Sequence, residues 1–135
     1  MKIKLTDIIE AIEETDQDSE FYLDKETGEI VWVNEMCMEN DEWEEITDRL
    51  DEHGCYQLPT RYDIRDYDIM VDFIQTLSEE VSCQLSSVIN GRGAFRRFKD
   101  TLCYLGLEQQ WYDFKADAYK KIAILWCTEH DIEFE

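Results

Sequence analysis

Leu5, Ile8, Ile9 and Ile12 recur at i, i+3, i+4 and i+7, with Glu10, Glu13 and Glu14 between them. That is the spacing of a short helix with one apolar face. Thr6 is its expected N-cap, and Asp7 suits the positive end of the helix dipole. A polar stretch from Thr15 to Ser19 follows, and then the period shortens. Glu20 to Asp24 and Glu29 to Val33 are β-rich runs around Lys25-Glu26-Thr27-Gly28, which predicts a hairpin. Ile30 to Val33 is apolar at every position, so this strand is expected to be covered on both faces or to sit centrally. Residues 34–41 read as a loop. Trp43, Ile46 and Leu50 then mark a helix from Glu42 to His53, closed by Gly54. Cys55 to Leu58, ahead of Pro59, completes an antiparallel meander of about three strands.

From Asp63 the period is helical to the end. Ile64, Tyr67, Val71, Ile74 and Leu77 form one stripe, with Asp63 as its cap. Ser78 caps a helix bearing Val81, Leu85, Val88 and Ile89, which Asn90-Gly91 closes. Phe95, Phe98, Leu102 and Leu105 form the next stripe, stopped by Gly106. The last helix, Glu108 to Glu129, carries Trp111, Phe114, Ala118, Ile122 and Leu125, with Tyr112, Tyr119 and Trp126 widening the face. Asp131 to Glu135 alternates and is expected to add a frayed edge strand. The architecture expected is α+β, a small antiparallel sheet packed with a mostly helical C-terminal half. At 135 residues, with 44% hydrophobic side chains, the chain fits a single domain over residues 1–135. Its acidic α/β part is expected at about 1–60 and its helical part at about 61–135.

Charge changes this picture. The formal net charge is −20, from 33 acidic and 13 basic residues. Residues 1–60 carry 4 basic and 19 acidic side chains, whereas residues 91–135 carry 7 and 8. So acidic a body repels nucleic acid and anionic membranes and attracts basic partners. The start of the chain lacks the apolar core of a signal peptide, and no run is long enough to span a bilayer. Five scattered cysteines without a CxxC pair suit reduced thiols. A cytoplasmic location is therefore expected.

Four of the 13 cations fall within eight positions, from Arg92 to Lys99, next to two of the five glycines. Gly91 can end one helix, and Gly93 can start the next close to a neighbour. The freed N–H groups at that helix start, with Arg92, Arg96 and Lys99 at i, i+4 and i+7, would suit phosphate or carboxylate. Gly91, Arg92, Gly93, Arg96, Arg97 and Lys99 are thus the candidate anion- or partner-binding residues. The alternative stays open: a structural helix corner in which Arg96 and Arg97 pair with Asp100. Helix, turn and basic helix also match the outline of a helix-turn-helix, but three cations on so acidic a body do not predict direct DNA binding.

No nucleophile elbow, P-loop, dinucleotide fingerprint or HExxH occurs, and no catalytic residue is assigned. Cys127 and His130 stand one turn apart, and His53 and Cys55 offer a second pair. Their spacing matches no standard zinc pattern, so neither metal nor cofactor is expected.

Asn90-Gly91-Arg92-Gly93-Ala94-Phe95-Arg96-Arg97-Phe98-Lys99-Asp100 resembles the core of an uncharacterised bacterial family, number 0158 of the UPF series. Phe21-Tyr22-Leu23-Asp24, Trp32, Leu58-Pro59, Ile69 to Ile74 and Trp111-Tyr112-Asp113-Phe114 extend the likeness from about Ser19 onwards. The resemblance implies a small cytosolic bacterial protein and carries no catalytic residues to transfer. The leading expectation is a non-enzymatic binding or regulatory module with a protein partner or a phosphate-bearing ligand. Two alternatives are an acidic protein that imitates nucleic acid and a small enzyme acting on a phosphorylated compound.

Overall fold

The computed structural model describes residues 2–34 and 36–135. Residue 35, within the loop predicted at 34–41, lies outside the described residues. The elements run β1 (Lys2–Ile3), α1 (Leu5–Glu14), β2 (Glu20–Asp24), β3 (Ile30–Val33), α2 (Asn40–His53) and β4 (Cys55–Gln57). There follow α3 (Arg61–Ile64), α4 (Asp66–Gln75), α5 (Glu79–Ser86), α6 (Ala94–Leu105), α7 (Glu108–Glu129) and β5 (Glu133–Phe134). The fold is α+β. Among the described residues no helix is long and apolar enough to cross a membrane. The chain forms two compact units, Met1–Ile64 with Tyr119–Glu135, and Arg65–Ala118. Helix α7 supplies its first half to the second unit and its remainder to the first.

In the first unit the predicted hairpin is present, with Phe21 opposite Trp32 and Tyr22 opposite Val31. The antiparallel sheet has the order β3-β2-β4. β2 is therefore central, and Ile30–Val33, expected in the middle or covered on both faces, is an edge. Helix α2 stands between β3 and β4 in the chain and carries it across, so that β4 pairs with the free side of β2, Tyr22 opposite Gln57. Alternation then assigns the faces. Tyr22, Val31, Val33 and Cys55 meet Leu50 and Ile46 of α2. On the opposite face Phe21 and Ile30 lie near Ala11 of α1, and Trp32 stays 42% exposed.

Two expectations at this end need correction. Helix α1 begins at Leu5, with Lys4 as its N-cap, so Thr6 lies inside the helix. The cause is the chain's far end. β1 pairs in parallel with β5, and the Leu5 N–H donates to the Glu135 carbonyl at 3.1 Å. The alternating tail thus does form a strand, on a two-residue partner with no periodicity of its own. Helix α2 likewise starts at Asn40, earlier than its apolar residues indicated.

The long helix predicted from Asp63 is broken, with Asp63 and Ile64 in the first unit and the residues from Arg65 in the second. Arg65 adopts a left-handed conformation, φ 56°, separating α3 from α4. Asp63 is the third residue of a capping arrangement, and Thr60 is the cap. The Thr60 N–H donates to the Asp63 carboxylate at 2.9 Å, and the Asp63 N–H reaches back to the Thr60 hydroxyl. The rotated α4 buries Ile69, Met70, Phe73 and Ile74, and leaves Tyr67 43% exposed. Helix α5 ends at Ser86 instead of running to Asn90, with the Ser87 hydroxyl donating to the Gln84 carbonyl. Helix α6 closes as predicted at Gly106. The Leu107 and Gly106 N–H groups reach the Leu102 and Cys103 carbonyls in the pattern of a Schellman motif. Phe73, Phe98, Trp111 and Phe114 build the core between α4, α6 and α7, with ring centroids 5.0–6.4 Å apart. Helix α7 buries Trp111 within the second unit and Tyr119, Ala123, Trp126 and Cys127 within the first, while Leu125 is 58% exposed.

Candidate functional site

The corner between α5 and α6 owes its shape to two glycines and one arginine. Gly91 and Gly93 both have φ 75°, a region that side chains with a Cβ avoid. They turn the chain within four residues, so that Gly93 serves as N-cap of α6. Arg97, one turn into α6, then folds back over the loop. Its Nε donates to the Val88 carbonyl at 2.8 Å, and its two terminal nitrogens donate to the carbonyls of Arg92 and Asn90. The guanidinium thus satisfies three carbonyls of the loop between α5 and α6, which have no helical partner of their own. Arg97 holds the corner together and is not free for a ligand.

The two glycines are not equivalent. A Cβ on Gly91 would meet nothing within 4 Å, whereas one on Gly93 would come within 3.1 Å of Arg97 Nη1. Gly91→Ala is expected to cost about 1 kcal/mol from backbone strain alone. Gly93→Ala adds displacement of the Arg97 clamp and should cost about 2–3 kcal/mol. Urea unfolding of both variants measures the difference; equal losses would remove the clamp from the account.

The remaining cations of the segment differ in kind. Arg92, Arg96 and Lys99 are exposed, and their side chains make no hydrogen bond or ion pair among the described residues. No ion pair joins Asp100 to Arg96 or Arg97, contrary to the helical pairing anticipated from the spacing. Phe95, expected in the core stripe, is 45% exposed. It is adjacent to Arg96 and one turn from Lys99, while Ala94, Phe98 and Leu102 form the buried side of α6.

A second cluster, invisible in the pattern, lies in the other unit. Asp24 ends β2 with its side chain fully buried. One carboxylate oxygen accepts the N–H groups of Glu26 and Thr27 at 2.8 and 3.1 Å. The other accepts Arg49 Nε and faces His53 Nδ1, each at 2.9 Å. Arg49 and His53 are four apart on α2 and so share a face. Arg49 extends to Glu29, and His53 Nε2 lies 3.3 Å from Glu26. Burial would raise the Asp24 pKa, but the bonds from His53, Thr27, Glu26 and Arg49 hold it far below the carboxylate range. The hydrogen bond to Asp24 raises the His53 pKa, against the effect of burial. Both His53 ring nitrogens face carboxylates, so this Asp–His pair leaves no nitrogen for a nucleophile or a metal. Its role is to tie α2 to the hairpin turn. Two cations four apart on an otherwise acidic helix were the available signal.

Of the residues weighed for metal, Cys127 is completely buried, and burial raises its thiol pKa. His130 Nδ1 faces the Trp126 carbonyl at 2.8 Å, and its ring packs between Tyr56 and Trp126. Among the described residues no three His, Cys, Asp or Glu side chains gather as metal ligands.

The family described as an uncharacterised protein family, UPF0158, matches residues 1–135. The chain belongs to UPF0158. The match includes α1 and β1, beyond the stretch from about Ser19 over which the resemblance was legible. Neither the curated proteins nor the solved structures contain a match.

Proposed function

We propose that this UPF0158 protein is a non-enzymatic binding module whose α5–α6 corner receives an anionic group of a protein partner. One observation carries the reading. In a chain with 33 carboxylates, Arg92, Arg96 and Lys99 remain exposed and have no partner among the described residues. Ion pairs within the chain would have been the cheapest use for them. Arg97 sets the corner, and the first N–H groups of α6 add partial positive charge next to Arg96. The exposed ring of Phe95 supplies an apolar anchor between the cations. A phosphoryl group or a carboxylate beside an apolar side chain fits this set.

Fluorescence anisotropy with a phosphoserine peptide and its serine and glutamate counterparts tests the reading. Binding of the anionic peptides is expected to weaken roughly tenfold or more in Arg92→Glu/Arg96→Glu, and to weaken with salt. Equal affinity of wild type and charge-reversed protein would remove the corner as a site. Retention of a partner from cell lysate by wild type, and not by the double variant, would then identify the natural ligand.

A further inference from the structure

A cleft of about 480 Å³ opens between the sheet and α2, wholly within the first unit. Its helix wall is formed by Trp43, Thr47, Leu50 and Asp51, which fall on one side of α2 through their i, i+4, i+7 and i+8 spacing. Val33 and Leu50 make an apolar floor, and Trp43 remains 37% exposed above it. Asp18, Glu20 and Asp51 bring three carboxylates to the lining, which contains no Lys, Arg or His among the described residues. Glu20 is oriented by the Tyr22 hydroxyl, which donates to it. The carboxylates of Asp18 and Asp51 have no partner among the described residues. The cleft therefore joins an aromatic face and an apolar floor to a negative charge that nothing in its lining balances.

We propose that this cleft binds a lysine or arginine side chain presented by a basic segment of a protein partner. The aliphatic stem would lie on Val33, Leu50 and Trp43, and the cationic head would meet the three carboxylates beside the Trp43 and Tyr22 rings. Charge complementarity selects a segment over an isolated amine. The acidic surface continues past the cleft along α2, where Asp41, Glu42, Glu44, Glu45, Asp48 and Glu52 are exposed. The unit as a whole has 7 basic against 24 acidic residues, a net of −17. A single amine would use the cleft alone, whereas a chain with several cations can follow the helix. This site is separate from the α5–α6 corner and stands or falls independently of it.

The test is fluorescence anisotropy with a labelled peptide of alternating lysine and glycine, about ten residues long, in low salt, with circular dichroism confirming that each variant is folded. Trp43→Ala, and separately Asp18→Asn/Asp51→Asn, should each weaken binding about tenfold, and Asp41→Asn/Glu45→Gln less than about threefold. The second variant keeps the test decisive if Trp43→Ala perturbs the fold. Equal losses from carboxylates inside and outside the cleft would mean diffuse attraction and overturn the proposal. Tighter binding of spermidine than of the peptide, with the same dependence on Trp43, would make the occupant a free polyamine. Self-association in sedimentation equilibrium that Trp43→Ala abolishes would make it a second copy of the chain. Either result would also overturn the proposal.

Discussion

Asp24→Ala is expected to lower the midpoint of thermal unfolding by roughly 10 °C, because it removes the acceptor of four donors at one buried point. Glu26 and Thr27 lose the bonds that shape the hairpin turn, and Arg49 and His53 lose their shared buried acceptor, keeping only the exposed Glu29 and Glu26 as counter-charges. Asp24→Asn should recover only part of the loss, since an amide can accept from the turn but presents its own donors to the cations. The pH dependence of the same network has two limbs. The depressed Asp24 pKa contributes stability that is complete above the unfolded value near 3.8 and lost as the pH falls through the lower folded value. The raised His53 pKa contributes stability that is complete below 6.5 and lost as the pH rises through the higher folded value. The stabilisation from this pair is therefore greatest between those two ordinary values. Thermal melts of wild type and His53→Gln should differ more near pH 5.5 than near pH 9. A difference independent of pH would show that His53 acts through packing alone.

Phe98→Ala is expected to destabilise the second unit by about 3–5 kcal/mol. Phe98 is completely buried, with its ring edge-to-face against Trp111 at 5.0 Å and against Phe73 at 6.4 Å. Truncation removes both aromatic contacts and opens a cavity bounded by three helices that short loops keep from closing. Phe98→Leu should lose less than half as much. Hydrogen exchange would locate the effect, with α4, α6 and the first half of α7 losing protection first. Protection lost evenly over the whole chain would show that the two units unfold as one.

How far the fold could be read follows the range of the interactions involved. The hairpin at Glu20–Asp24 and Ile30–Val33 was legible because a five-residue connection and two β-rich runs are neighbours in the chain. The end of α6 was legible because Leu102, Cys103, Gly106 and Leu107 close a motif within six residues. The α4 face was misread because the apolar positions from Ile64 to Leu77 fit one continuous helix. The reversal at Arg65 rotates the stripe so that Met70 and Phe73 face inward. β1 escaped notice because two residues hold no period, and its partner lies at the other end of the chain. At the corner, the glycines and the cation cluster were legible, but their division of labour was not. Nothing in the spacing says that Arg97 caps the loop while Arg92, Arg96 and Lys99 have no partner among the described residues.

By itself, then, the chain's order of residues determined most of the helices, the hairpin, the α+β class, the charge asymmetry and membership of UPF0158. Each depends on local periodicity, turn chemistry or composition. Tertiary structure alone decided that β2 is central, that Asp24 gathers Arg49 and His53, and that an acidic aromatic cleft opens under α2. In all three, residues up to 38 positions apart are brought together. Their energies depend on burial and on the full set of partners at one point in space, and such partnerships leave no period in the chain.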